Sequence, residues 1–103
     1  MTIWPDWAEE KYRAASQLPD TPEIRQARKE SKRLKQLIGR NYRSGNYTEA
    51  LSLALKDLQI TKVNFGENHP YTISSLDNLA RLYEVLGRYS DAESLQKKAL
   101  RLR

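Results

Sequence analysis

Eight cations crowd one segment of this 103-residue chain, IRQARKESKRLKQLIGRNYR (24–43). Set on a helix at about 100° per residue, Arg25, Arg28, Lys29, Lys32, Arg33, Lys35, Arg40 and Arg43 fall within an arc of about 160°. Ile24, Ala27, Leu34, Leu37, Ile38 and Asn41 take the opposite side, and Glu30, the only acid of the segment, lies at the margin of the apolar face. The result is a positive strip about 28 Å long. Such a strip attracts an anion: an acidic peptide, a nucleic-acid backbone or an anionic membrane surface. A solvated outer face with no ligand is the ordinary alternative. Binding of single-stranded nucleic acid calls for aromatic rings among the cations, and only Tyr42 and Tyr47 are near. No helix-turn-helix, zinc finger or ribonucleoprotein motif is present, so phosphate binding without base readout is the most the segment supports.

Catalytic and metal chemistry find little material. His69 is the only histidine and there is no cysteine, which does not build a typical zinc site or a serine–histidine–aspartate set. Gly39, Gly45, Gly66 and Gly87 are dispersed and form no phosphate-cradling loop. Carboxylates such as Glu9 and Glu10 are scattered at helical spacing. The expectation is a non-enzyme with no cofactor and no metal. The balance of 39% hydrophobic and 30% charged residues is that of a soluble globular chain, here one domain, and the net charge of +5 is a mild excess. No apolar run approaches the ~18 residues of a membrane span. The N-terminal MTIWPDWAEEKYR has no apolar core of a signal peptide, so none is expected. A cysteine-free chain fits a cytoplasmic location, which is the expectation carried forward.

The elements that position these residues emerge from an internal repeat. Residues 34–61 laid on 76–103 give nine identities: Leu34/Leu76, Leu37/Leu79, Gly45/Gly87, Tyr47/Tyr89, Ala50/Ala92, Ser52/Ser94, Leu53/Leu95, Lys56/Lys98 and Leu58/Leu100. Each unit reads as two helices. Ile73, Leu76, Leu79, Ala80, Leu82, Tyr83 and Leu86 have helical spacing before Gly87; Tyr89, Ala92, Leu95, Ala99, Leu100 and Leu102 have it afterwards. Gly45 and Gly87 stand where the first helix of each unit must stop and turn. Ala50 and Ala92 are small where two helices would cross closely. ENHPYT (67–72) separates the units, with Pro70 suited to a first helical turn. A repeat of this period signals a solenoid.

Leu76, Leu79, Ala80, Tyr83, Gly87, Tyr89, Ala92 and Ala99 resemble the tetratricopeptide signature position by position. The 42-residue spacing and the connector ITKVNFGENHPYTISSLDNLARLY look more narrowly like the repeats of kinesin light chain and its bacterial relatives. The resemblance covers roughly residues 31–103. The first unit departs from it at Ile38 (usually small), Asn41 (usually Tyr) and Asp57 (usually Ala); the second departs at Gln96, where a large aromatic is common. The resemblance implies an all-α fold: a tetratricopeptide-type α-solenoid of two helix pairs, repeat 1 over 22–66 and repeat 2 over 69–103. It also implies a right-handed superhelix with a concave peptide-binding groove lined by the first helix of each unit. The matching positions are Lys32, Lys35, Gln36, Gly39, Tyr42 and Arg43 in the first unit. In the second they are Ser74, Asp77, Asn78, Arg81, Glu84 and Val85. Lys32, Lys35, Arg43 and Arg81 would then read acidic side chains or a terminal carboxylate, while Asn78 would hydrogen-bond an extended peptide backbone. A hydrogen bond within the helix stack is the alternative for Asn78. His69 falls where the family also places a histidine before proline, a turn-stabilising position.

A solenoid unit cannot bury its own face, and about three are usually needed for stability. The segment 1–20 is the expected cap, bringing the total to about five helices. Trp4, Trp7, Ala8, Tyr12, Ala15 and Leu18 form a helical stripe there, after a start at Pro5 and Asp6. Leu51 and Leu55 give the second helix of the first unit an extra apolar strip, beyond Leu53, Ile60 and Val63, for it to pack on or near. Alternatively, Trp4, Trp7 and Tyr12 form a partner or self-association surface of a homodimer. At the far end, Glu93, Gln96 and Lys97 give the last helix a solvated face. The functional expectation is a protein-interaction module (adaptor, scaffold or assembly factor) taking a partner protein or acidic peptide in a basic groove. The alternatives are nonspecific nucleic-acid binding along 25–43, and a mainly self-associating structural role.

Overall fold

The computed structural model describes residues 20–103. They form four α-helices: α1 (Pro22–Arg43), α2 (Tyr47–Phe65), α3 (Pro70–Val85) and α4 (Tyr89–Leu102). The expected N-terminal helix with Trp4, Trp7 and Tyr12 lies outside the described residues.

Each helix starts and stops for a local reason. Thr21 caps α1, its hydroxyl accepting from the Ile24 amide at 3.2 Å, with Pro22 in the first turn. His69 caps α3, with Pro70 following. Proline suits these positions because a first-turn N–H has no intrahelical acceptor. The two corners of the repeat match bond for bond. The Gly45 amide donates to Tyr42 O and the Gly87 amide to Glu84 O, both at 3.1 Å. The Asn46 amide donates to Asn41 O at 2.8 Å and the Arg88 amide to Tyr83 O at 2.7 Å. This is a Schellman closure, which needs a left-handed residue at the corner. The φ angles of +79° at Gly45 and +81° at Gly87 supply it.

The helices pack in chain order, α1 on α2, α2 on α3 and α3 on α4. The core centres on Ile38, Ala50, Ala54, Leu79 and Leu82, with Tyr42, Leu53, Leu58, Tyr83 and Leu95 among its partly buried neighbours. Ala50 and Ala54 are essentially inaccessible and allow the close crossing; a larger residue there would force the helices apart. Ile38, where the repeat pattern prefers a small residue, is 4% exposed and fills space in this core between the two units. Asn41 donates to Leu37 O at 2.9 Å on its own helix. Of the extra apolar strip expected on α2, Leu51 packs against the core and Leu55 is exposed; beside it Leu53 packs against the core, Ile60 is half-buried and Val63 is exposed. Among the described residues, no helix is long and apolar enough to cross a membrane.

Candidate functional site: the cleft between the first helices of the two units

Antiparallel packing of α1 on α2, followed by α3, sets the first helices of the two units side by side. Two clefts follow α1 and share Lys35. One, of about 540 Å³, is lined by Arg28, Ser31, Lys32, Lys35, Gln36 and Tyr71. The other, of about 140 Å³, is lined by Lys35, Tyr42, Arg43, Asn78 and Arg81, with Ile38, Gly39 and Leu82 at its apolar side. The structure therefore brings Lys32, Lys35, Gln36, Tyr42, Arg43, Asn78 and Arg81 to neighbouring walls. Tyr42 is braced edge-on by Tyr47, with ring centroids 5.5 Å apart.

The eight-cation strip is not uniform in charge. Arg25 pairs with Asp20, Arg33 with Glu30 at 2.6 Å and Lys35 with Asp57 at 2.7 Å. The Arg33 hydrogen bond is the main reason the Glu30 carboxyl sits below its ordinary value. Among the described residues, Arg28, Lys29, Lys32, Arg40, Arg43 and Arg81 pair with no carboxylate. Of the two acids on α3, Asp77 pairs with Arg103 just past the end of α4, whereas Glu84 accepts only from the neutral Gln96 amide at 3.3 Å and keeps its charge. Apart from Lys35, the cations bordering the clefts have no carboxylate partner among the described residues, and Arg28, Lys32, Arg43 and Arg81 outnumber the one unpaired acid of α3, Glu84, so a positive field results.

Lys35 has a different setting from the other cleft cations. Its ammonium donates to Asp57 Oδ2, to Ser31 Oγ at 2.9 Å and to Ser75 Oγ at 3.0 Å, with Tyr71 O at 3.4 Å. An ammonium has three protons, so these acceptors saturate it. Asp57 is fully buried and also accepts from Ser75 at 2.9 Å, while Thr61 Oγ1 lies 3.1 Å from Ser75 Oγ. Lys35 therefore ties α1, α2 and α3 together from the floor of the cleft. Ser31, Thr61 and Ser75 were not singled out from sequence, and Asp57 only as a departure from the repeat pattern. The available signal was the acid at Asp57, where the repeat pattern favours alanine: a buried charge requires a partner.

At the outer edge of the larger cleft stands the α2–α3 connector. His69 Nδ1 accepts from the Tyr71 amide at 3.0 Å. Its ring lies 4.8 Å from both Phe65 and Tyr71, centroid to centroid. Burial, and then the positive charge of Arg28, hold the imidazole below its ordinary value. Thr72 Oγ1 donates to Gly66 O at 2.6 Å and closes the same turn.

Helix pairs with matching glycine corners, stacked through small residues, place the family model in context: that of the tetratricopeptide repeat matches residues 35–103. The chain belongs to the tetratricopeptide repeat family. No curated protein and no solved structure matches it. Tetratricopeptide repeats generally mediate protein–protein interactions, and the family is generally a non-catalytic one. In this tetratricopeptide protein, the cleft cations and amides all lie on the first helices of the units, while Asp57 and Gln96 of the second helices, and Arg103 just beyond α4, bond to them.

Proposed function

We propose that this chain is a non-catalytic adaptor, scaffold or assembly factor of the cytoplasm that binds an acidic segment of a partner protein between α1 and α3. The observation that supports it best is the set of cations around the two clefts, Arg28, Lys32, Arg43 and Arg81, that have no carboxylate partner among the described residues. Gln36 and Asn78 line the same clefts, and an amide both donates to and accepts from an extended peptide backbone. Lys35 contributes by holding the two units in register rather than by reading the ligand. The 42-residue period and the histidine–proline connector favour the kinesin-light-chain-like subtype of repeat. The test is titration of a fluorescent glutamate-rich peptide into the wild-type protein and into Lys32→Glu/Arg43→Glu/Arg81→Glu. Binding lost in the variant, with its helix content unchanged, supports the reading; equal affinity of the two proteins contradicts it.

A second reading rests on Lys29 and Arg40, which like Arg28, Lys32 and Arg43 have no carboxylate partner among the described residues. These five cations span an arc of about 120° on α1 and suit a phosphate backbone read without base contacts. Self-association through Trp4, Trp7 and Tyr12 is a third reading, testable by solution mass with and without substitution of both tryptophans.

A further inference from the structure

The connector between the units couples a titratable ring to a wall of the cleft. His69 caps α3 through Nδ1, which accepts the Tyr71 amide only while that nitrogen carries no proton. Tyr71 in turn lines the larger cleft, and its carbonyl lies 2.9 Å from Ser75 Oγ and 3.4 Å from Lys35 Nζ. We propose that this connector is an acid-released latch: protonation of His69 removes the cap of α3 and loosens the Tyr71 side of the cleft, weakening capture of an acidic partner. The effect on capture rests on the function proposed above; the loosening itself does not.

Three consequences of protonation act in the same direction. The acceptor becomes a donor facing another donor. A positive charge arrives at the N-terminal end of α3, where the helix dipole already places partial positive charge. The new charge also meets Arg28, the cation of α1 that bears on the ring. From α2 the ring meets Phe65 and from α3 the Tyr71 phenol ring, neither of which offers a counter-charge at neutral or acidic pH. The connector's own acid, Glu67, is held by Lys62 of α2 and Lys98 of α4. Among the described residues, no carboxylate pairs with His69. Burial of the imidazole pushes its titration below the ordinary value, so the capped state is the one present at neutral pH.

His69→Asn separates the latch from a merely structural cap, because asparagine is a good N-cap and does not titrate. Hydrogen exchange is followed at the amides of Tyr71 and Ile73 between pH 7.5 and 5.0, each referenced to α4 amides of the same protein. The expected result is a several-fold relative loss of protection in the wild type, because the folded protein holds the His69 proton less readily than the unfolded chain does, and none in the variant. The same pH course in both proteins would overturn the latch. A parallel titration with a labelled octaglutamate peptide at pH 7.5 and 5.5, where glutamate stays largely ionised, tests the coupling. A several-fold weakening in the wild type alone supports it. If octaglutamate fails to bind either protein at pH 7.5, the proposed function fails, while the exchange measurement still decides the latch.

Discussion

Lys35 of α1 and Asp57 of α2 meet at 2.7 Å with the aspartate wholly buried, and Ser75 of α3 hydrogen-bonds to both. The pair fixes three helices at one point. It also leaves Asp57 Oδ1 without a hydrogen-bond partner among the described residues. Breaking such a pair from one side is costly, whereas replacing both charges with apolar groups can be neutral. Asp57→Ala should therefore destabilise the protein by about 3 kcal/mol. Lys35→Met/Asp57→Ala should recover most of that loss. Urea unfolding of the single and double variants measures it, and equal losses in the two would contradict the account.

The same geometry separates Lys35 from its cationic neighbours. Lys35→Glu sets a carboxylate beside buried Asp57 and should unfold or strongly destabilise the domain. Lys32→Glu, Arg43→Glu and Arg81→Glu alter exposed positions and should each change stability by less than about 0.5 kcal/mol. Circular dichroism melts compare the four proteins. A Lys35→Glu protein as stable as the other three would show that the buried pair is not structural.

Much of this architecture was legible in the sequence, and the reason is geometric. Gly45 and Gly87 each end a first helix 42 residues apart because a Schellman corner requires φ near +80°, and alanine at the crossings reports close helix approach. The residues expected in the groove came instead from the tetratricopeptide resemblance, which implies that the first helix of each unit lines it; both clefts run along α1. Partnership between helices was not legible. Lys35 and Asp57 are 22 residues apart on different helices, and no local period links them. The strip of eight cations likewise looked uniform, because helical angles say nothing of Asp20, Glu30 or Asp57 as partners.

Stability should fall on acidification in two separate stages. The folded protein holds the His69 proton less readily than the unfolded chain does. Its contribution is therefore complete above the ordinary histidine value of 6.5 and is lost as pH drops through the folded value. Glu30 and Glu67 are also depressed, chiefly by the hydrogen bonds from Arg33 and Lys98. Their contributions hold above the ordinary carboxylate range and disappear at lower pH; Glu67 is exposed and Glu30 partly so, and screening by solvent keeps this stage small. Melting temperatures from pH 8 to 3.5 should show the upper stage in the wild type and not in His69→Asn. An identical upper stage in both would remove His69 as its cause.

At the corners, a Cβ on Gly45 or Gly87 would meet nothing within 4 Å, so the penalty for substitution is conformational alone. Alanine at either position should cost about 1 kcal/mol. Asparagine, which tolerates the left-handed region better, should cost less. Thermal denaturation of Gly45→Ala and Gly45→Asn gives the comparison, and an alanine variant as stable as the wild type would contradict the strain argument.

The most direct test of the central claim is paired titration of a labelled glutamate-rich peptide and a labelled single-stranded nucleic acid at about 150 mM salt, where exposed charge is substantially screened. The account predicts that the peptide binds more tightly and that Lys32→Glu/Arg43→Glu/Arg81→Glu loses it. Tight, steeply salt-dependent binding of nucleic acid with no capture of the peptide would contradict it and make the outer cations of α1 the functional face.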